Sequence, residues 1–579
     1  MVKVSKDVAE KKFQQDFVEE LEKYRWEAPD ELNGNTHKVT VQDLIDNWRH
    51  QLNRINADQL EGVELTDNEF EQVLSKVKGI NNSYEAAKLL SIENNTGKID
   101  GIYRDDNPEI TRKQITLTIF KKSQVSGGDS SYQIAREIST DNNNRFDIVL
   151  LINGLPLINI EQKRADKNLD EAFGQFKRYY HDGEYQNNFM AFSQMMVMVS
   201  EIETRYFATP KSESDFNPSF VFHWADYKNK VINEWHQVIK QFLMIPMAHQ
   251  MVGDYLVIDE ANDEENRRHM LMRPYQVHAL QAIEAAALGR DNKCGGRPHG
   301  GFIWHTTGAG KTITSFKTAL FLSTRLNFDK VVFMVDRKEL DNNTSKSFKA
   351  YSAYDSVDVD STNTTDQLRL KLQSKKNGIV VTTTYKLANL VKELEFKKDY
   401  KLAEKRMIFI VDEAQRTTMG QMMVSIKEYF RKNGLFYGFT GTPLFKENKV
   451  KGMILEHGNK SELINTTEKL FGPELHRYTI DEAINDGNVL GFNVDYINTG
   501  EFKNYDSLKE KLIKKLYGDE PTIDQERSIK SLSDLDAEKE AFNNNVLEYQ
   551  DETHIPRVVE NILKHWEKHS HNRQFNAIL

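Results

Sequence analysis

Two regimes of hydrophobic patterning divide the chain. At the N-terminus, Val8, Phe13, Phe17, Leu21 and Tyr24 fall on one helical stripe, which predicts a helix within residues 1–25. Residues 40–100 are polar and predict further helices of weak periodicity. The period then shortens. QITLTIF (114–120) alternates, RFDIVLLI (145–152) is an unbroken apolar run, and LPLINIEQ (155–162) follows directly behind the Asn153-Gly154 turn signal. A helix is predicted from Leu169 to Tyr180, and strands in FMAFSQMMVMVS (189–200) and PSFVFHW (218–224). Residues 1–250 therefore predict an α/β domain on a mixed sheet.

The second regime begins near residue 270. RPYQVHALQAIEAAAL (273–288) reads as a helix, GGFIWH (300–305) as a strand, and TITSFKTALFLSTRL (312–326) as a helix with Ile313, Phe316 and Leu320 on one face. KVVFMVD (330–336), GIVVTTT (378–384), RMIFIVDEA (406–414) and GLFYGFTGTP (434–443) recur as short apolar strands with helical or loop spacers. Strands apolar on both faces, separated by helices, predict a parallel sheet covered on both sides. Residues 500–555 are polar and read as a charged helical insertion or linker, and HIPRVVENILKHW (554–566) as a helix feeding a last strand in RQFNAIL (573–579). The expected division is 1–260, 261–470 and 471–579, the last holding a connector and the start of a further lobe.

Composition changes this picture little. A chain of 579 residues suggests roughly three or four domains. It carries 39% hydrophobic and 28% charged residues, without the run of ~18 apolar residues that a membrane helix needs and without an apolar N-terminal signal. A single cysteine, Cys294, excludes an intramolecular disulfide and a cysteine-built zinc site, and points to a reducing cytoplasm. The net charge of −10 argues only weakly against a nucleic-acid partner, because phosphate contacts depend on local Lys and Arg clusters.

The strongest local signal is HTTGAGKT (305–312), a strand-loop-helix phosphate loop. Gly308 and Gly310 let the backbone N–H groups of Thr307, Gly308, Ala309 and Gly310 curl around a phosphate at a helix N-terminus. Lys311 is expected to reach the β and γ phosphates of ATP, and Thr312 to ligate Mg²⁺. His305 stands where the loop pattern has its first glycine. Asp412 and Glu413 close the strand RMIFIV, at the carboxyl edge where open parallel sheets bind ligands. Asp412 there is expected to hold Mg²⁺ through water, and Glu413 to orient an attacking water. VDEAQR (411–416) and FTGTP (439–443) resemble the superfamily 2 helicases and translocases, near the DEAH-box type, with Gln415 in place of the usual His. That resemblance implies coupling of ATP to Thr440 and Thr442. RPYQ (273–276) resembles the Q-motif, which implies that Arg273 and Gln276 contact adenine. VDRKEL (335–340) and TTTYKL (382–387) resemble the strand-contacting motifs of the same motors.

A second constellation closes the apolar hairpin. Glu161 and Lys163 are two apart and share one strand face, and Asp147 lies across the turn. Two carboxylates and a lysine on one face can hold Mg²⁺ and activate a water for phosphodiester attack. Geometry sets a condition. A two-residue Asn153-Gly154 turn pairs residues whose numbers sum to 307 (153 + 154), so Asp147 would face Ile160, on the wrong side for Glu161. The site requires a register shifted by one, expected from an irregular three-residue turn with a bulge at Asn153–Pro156. The pattern Asp147…Glu161-x-Lys163 resembles the PD-(D/E)xK nucleases, and Gln175 with Tyr179 resembles the Q-x-x-x-Y element of that core.

In combination, with NGLPL (153–157) ahead of the glutamate and YTIDEAINDGNVL (478–490) after the motor lobe, the chain resembles the R (restriction and motor) subunit of type I restriction-modification enzymes. The resemblance implies ATP-driven translocation of double-stranded DNA and Mg²⁺-dependent cutting of unmethylated foreign DNA, that is, a type I site-specific deoxyribonuclease. It implies assembly with methyltransferase (M) and specificity (S) subunits in a bacterial or archaeal cytoplasm, with no membrane partner. The sequence stops in RQFNAIL, where a second lobe is expected, so this piece is expected to bind ATP without translocating. Lys163, Arg164, Lys177 and Arg178 are candidate DNA contacts by proximity. Two alternatives are a superfamily 2 helicase or remodelling ATPase with a non-cutting DNA-binding N-terminal domain, and a DNA-binding scaffold with a dead phosphate loop.

Overall fold

A computed structural model describes residues 6–91, 96–121, 130–261, 263–326, 328–335, 338–354, 357, 359–362, 364–375, 378–412, 420–446, 453–457, 460–491, 505–547 and 554–569. They fall into two compact units, Met1–Leu490 and Gly491–Leu579.

The first unit opens with α1 (Lys6–Glu22), α2 (Val41–Ile55), α3 (Asp67–Lys78) and α4 (Ser83–Leu89). Thr40 and Thr66 start α2 and α3 with capping boxes, each hydroxyl accepting from the N3 amide while Asp43 or Glu69 reaches back. The helical reading stops short of residue 100. β1 (Thr96–Tyr103) pairs antiparallel with β2 (Gln114–Lys121), because the alternating β2 needs a strand partner.

The first large sheet comprises β3 (Tyr132–Ser139), β4 (Arg145–Ile152), β5 (Leu155–Gln162), β6 (Met195–Val199) and β7 (Thr204–Ala208), in that spatial order. It is mixed. β5 and β6 are parallel, joined through α5 (Asp170–His181), and the other pairs are antiparallel. Every residue of β5, and every residue of β4 after Arg145, is buried, which accounts for their unbroken apolar runs. PSFVFHW is not a strand: a 3₁₀ turn at Pro218–Phe220 leads to a single bridge between Phe222 and Tyr206, since Pro218 cannot join a ladder. The short helices α6 (Trp235–Val238) and α7 (Met247–Val252) follow.

The expected boundary at 260/261 falls inside a hairpin of β8 (Leu256–Asp259) and β9 (Arg268–Leu271). Leu271, Met272, Val277 and Leu280 belong to the same core as the first sheet, so the hydrophobic core runs through that point.

The second sheet is built from α8 (Pro274–Leu288), β10 (Gly301–His305), α9 (Lys311–Arg325), β11 (Lys330–Val335), α10 (Lys338–Tyr351), β12 (Val359–Ser361), α11 (Thr365–Gln373), β13 (Ile379–Thr383), α12 (Thr384–Phe396), β14 (Met407–Val411), α13 (Gly420–Tyr429) and β15 (Gly434–Thr440). A ribbon of β16 (Met453–His457) and β17 (Lys460–Ile464) follows, then α14 (Thr467–Phe471), β18 (Glu474–Tyr478) and α15 (Ile480–Asn485). The strand order is β12-β13-β11-β14-β15-β10-β18, and every neighbouring pair is parallel. β18 pairs with β10, so residues 474–478 complete this sheet and do not belong to a connector beginning at 471. ELHRY has no apolar run, which hides it from periodicity.

In the second unit, α16 (Tyr505–Tyr517), α17 (Ile523–Lys530) and α18 (Asp534–Asn543) close on Leu512, Ile513 and Ile529, and α19 (His554–His569) follows. RQFNAIL, the expected start of a second lobe, lies outside the described residues, as do Asp336 and Arg337 of VDRKEL.

Candidate functional sites

The hairpin site depends on register. Asn153 and Gly154 both take left-handed backbone angles, φ 53° and 81°, forming a regular two-residue turn. Ile152 pairs with Leu155 and Leu151 with Pro156. The ladder then slips: Leu150 pairs with Ile158, and Leu157 is the extra residue of a bulge. The expectation of an irregular turn is thus corrected. The turn is regular, and the irregularity sits beyond Pro156, which has no N–H to hold the ladder. After the bulge, Ile148 faces Ile160, which puts Asp147 level with Glu161 (147 + 161 = 148 + 160).

Both carboxylates are buried, Asp147 at 7% exposure and Glu161 at 1%. Asp147 Oδ2 accepts from the Gln162 amide at 2.9 Å, and Gln14 of α1 donates to the Asp147 carbonyl at 3.2 Å. Lys163 Nζ donates to Glu161 Oε1 at 2.9 Å, to the Gln162 carbonyl at 3.1 Å and to Gln175 Oε1 at 2.9 Å. Gln175 Nε2 in turn donates to the Tyr179 hydroxyl, which donates to the Arg145 carbonyl at 2.7 Å. Gln175 and Tyr179 are one turn apart on α5, so their ladder ties that helix to β4 and holds Lys163 over the carboxylates. Burial pushes the Glu161 carboxyl well above the usual range; Asp147 beside it adds to the rise and Lys163 opposes it. Tyr179 is pushed up for the same first reason, burial, and then by Glu161.

Two adjoining buried acids with a single lysine, bonded to Glu161, are short of positive charge. Asp147 and Glu161 would be the residues to hold a divalent cation; they are only two acids, and no cluster of three potential ligands occurs among the described residues. The remaining positions would fall to water, backbone and substrate oxygens.

The phosphate-loop site lies at the carboxyl edge of the second sheet. Gly308 and Gly310 take φ 84° and 70°, and Gly310 caps α9 from a left-handed conformation. Lys311 folds back toward the Thr306 carbonyl at 3.4 Å. Thr312 stands in the first turn of α9, and Asp412 directly follows β14, with β15 separating β14 from β10. Trp304 Nε1 donates to the Gly441 carbonyl at 3.1 Å, tying the FTGTP loop to β10. Glu413 and Gln415 lie outside the described residues.

Arg273 and Gln276 are both engaged with protein. The Arg273 guanidinium lies 4.5 Å from the Phe222 ring centroid and bonds to Asn488. Gln276 accepts from the Arg273 amide at 2.9 Å and donates to the Ala309 and Gly310 carbonyls at 3.3 Å each. In this geometry Gln276 braces the phosphate loop. Both residues line a cavity of about 420 Å³ that reaches Gly308 and Gly310 on one side and Phe222 on the other.

Sequence reasoning missed the backing of this loop. Tyr275 donates to the Ala309 carbonyl at 2.9 Å and stacks on Tyr478 at 3.7 Å. Tyr478 is held by Asp486 at 2.7 Å and Asn488 at 2.6 Å. His305, in the glycine position, is fully buried against His476 at 3.1 Å, and burial holds its ring neutral. It packs the strand end and leaves the loop itself free to curl.

The family model described as the type I restriction enzyme R protein N terminus matches residues 7–215, and the SWI2/SNF2 ATPase model matches residues 275–525. A type I restriction enzyme endonuclease subunit of Staphylococcus aureus is 36% identical over 473 residues, covering 81% of this chain and 46% of the relative. One from Staphylococcus saprophyticus is 32% identical over 558 residues, covering 95% and 52%. A putative type I restriction enzyme endonuclease subunit, C-terminal part, from Mycoplasma pneumoniae is 34% identical over 214 residues, covering 36% of this chain and 99% of that relative. The chain spans about half the length of the staphylococcal relatives.

Proposed function

This chain belongs to the endonuclease subunits of type I restriction enzymes, and on that premise we propose that it couples ATP-driven movement of double-stranded DNA to Mg²⁺-dependent cutting of it. The observation that carries the cutting half is the bulge at Leu157, which levels Asp147 with Glu161 and leaves Lys163 bonded to Glu161. A regular hairpin does not bring these groups together.

In this reading Asp147 and Glu161 would hold Mg²⁺, which would supply charge neutralisation and a water of lowered pKa. Lys163 places its ammonium where charge builds on the scissile phosphate. Gln175 orients Lys163, and Tyr179 fixes Gln175 against the Arg145 carbonyl; both are positioning residues. In the motor, the amides of Thr307–Gly310 cradle the phosphates, Lys311 reaches them, and Thr312 with Asp412 would hold a second Mg²⁺. Glu413 orients the attacking water, and the cavity beside Gln276 and Arg273 receives the adenine base. The domain roles follow: cutting falls to the part built on the first sheet, and the first motor lobe to the part built on the second sheet, which runs through β18. We assign M and S subunits as partners and the cytoplasm as the site of action.

Asp147→Asn, assembled with M and S subunits, tests the cutting half. DNA-dependent ATPase should persist while linearisation of unmethylated circular DNA disappears. Cutting at the wild-type rate would return the N-terminal domain to a DNA-binding role only.

A further inference from the structure

The hairpin site opens toward α1. Asp147 lines a pocket of about 320 Å³ together with Glu10, Lys11, Gln14, Glu137, Arg145 and Gln162. A second pocket of about 460 Å³ shares Lys11, Gln14, Glu137 and Arg145 with the first, and continues over β3 to Asn33, Gly34, His37 and Lys38. The two make one groove that starts at a carboxylate of the cutting site and ends at the turn before α2.

The charges along this groove favour an anion. Lys11, Lys38, Arg136 and Arg145 line it, against Glu137 and, at the cutting-site end, Glu10 and Asp147. Arg145 pairs with Glu137 at 2.7 Å, and His37 with Asp43 at 2.9 Å. Lys11 and Lys38 are exposed and have no acidic partner among the described residues.

Arg136 is held differently. Its Nε donates to Asn33 Oδ1 at 2.9 Å, Nη1 to Gln15 Oε1 at 2.6 Å and Nη2 to the Asn33 carbonyl at 3.0 Å. All three acceptors are neutral. The guanidinium is oriented in advance, keeps its charge, and retains two N–H groups. A second observation points the same way. Gln162, 2% exposed, has its Nε2 buried without a partner among the described residues, on the wall it shares with Asp147. An amide donor left unpaired there suits a phosphate oxygen.

We propose that this groove seats one strand of the DNA duplex, with its phosphates on Arg136, Lys38 and Lys11 and the phosphate nearest Asp147 reached by Gln162. The proposal rests on the cutting role of Asp147 for its biological meaning, and it moves the DNA path away from Lys177 and Arg178 on the exposed side of α5. Phosphate contacts release counterions, so each one contributes about 0.9 to the slope of log affinity against log salt.

The test is binding of a fluorescent duplex by the full chain in Mg²⁺-free buffer, titrated with salt, so no cutting is needed. Arg136→Gln with Lys38→Gln should lower the slope by about two and weaken binding at least tenfold at moderate salt. Lys11→Gln with Lys38→Gln, both exposed and without structural partners, should lower it by about the same amount and guards against misfolding at Arg136. Lys177→Gln with Arg178→Gln should leave the slope unchanged. An unchanged slope in both groove variants, or the same loss from the α5 pair, overturns the proposal. In the assembled enzyme, the groove variants should raise KM for DNA in the cutting assay and leave kcat at saturating DNA alone. If Asp147→Asn abolishes cutting while the groove variants bind normally, the groove fails and the cutting site stands. If the groove variants lose binding while Asp147→Asn cuts normally, the groove stands and the cutting site fails.

Discussion

The hairpin turn makes an exacting target because its tip is built into the core. Gly154 sits at φ +81°, and a Cβ there would lie 2.8 Å from the Trp48 Cα of α2, with Gln51 Cγ and Trp48 Cδ1 each at 3.2 Å. Trp48 is fully buried, so α2 has no room to retreat. Gly154→Ala therefore incurs about 1–2 kcal/mol for a left-handed backbone carrying a Cβ. Overpacking against backbone adds about 1–3 kcal/mol. The stiffer unfolded chain returns about 0.4–1 kcal/mol. The net, about 1–5 kcal/mol, is a sizeable part of the ~5–15 kcal/mol that holds a domain folded. The strain relaxes most readily by opening the turn, which releases the register that levels Asp147 with Glu161. The first unfolding transition in urea should shift down, and Mg²⁺-dependent cutting should fall well beyond the loss of folded protein. Nucleotide binding at the phosphate loop, which shares no residue with the turn, should change little. Wild-type stability together with wild-type cutting would refute the claim that this turn, with the bulge at Leu157 behind it, sets the register of the site.

Two further outcomes follow. Burial lowers His249 and His269 to about 4 and His476 to about 3, against an ordinary value near ~6.5. Each folded pKa lies below its unfolded one, so the stability from these neutral rings is present above pH ~6.5 and is lost as pH falls toward the folded values, at up to about 1.4 kcal/mol per group per pH unit. The thermal midpoint should drop between pH 7.5 and 5, and His476→Gln should flatten that slope; a slope identical to wild type would contradict the assignment. Separately, Gln276→Ala removes the brace on the Ala309 and Gly310 carbonyls. ATP and ADP should both bind on the order of tenfold more weakly, as if about 1–1.5 kcal/mol of loop ordering were lost. Lys311→Ala should weaken ATP more than ADP. A Gln276 variant that discriminates between adenine and guanine nucleotides more poorly, at unchanged ATP affinity, would instead place this side chain on the base.

Much of the second sheet was legible, because parallel strands buried on both faces write themselves as short apolar runs. FIWH, KVVFMV, IVVTT, MIFIV and LFYGFT all became strands. β18 was not legible, since ELHRY joins the edge through backbone bonds and buries Leu475, His476 and Tyr478 without an apolar run or a clean alternation. In the first sheet, the runs at 145–152 and 155–162 announced β4 and β5. β3 (YQIAREIS) escaped notice, its apolar pattern broken by Arg136-Glu137 and its backbone turning left-handed at Glu137, φ 53°. For the cutting site, the residue types and the required one-residue shift could be read from the sequence; the bulge at Leu157 could not. Pro156 was the clue, but nothing local says whether a missing N–H disturbs the turn or the strand behind it. The groove through Arg136 had no sequence signal, since its residues come from α1, the turn before α2, β3 and β4.

The central claim is that Asp147 and Glu161 form one cation-holding cutting site separate from the ATP site. Its most direct test measures ATP hydrolysis and DNA cutting side by side for Glu161→Gln in the assembled enzyme, with Mn²⁺ binding to the isolated chain as an independent readout. The substitution keeps the shape and the acceptor for Lys163. ATPase should run at the wild-type rate, cutting should fall on the order of a thousandfold or more, and one high-affinity Mn²⁺ site should be lost. Undiminished cutting with the Mn²⁺ site intact would contradict that claim.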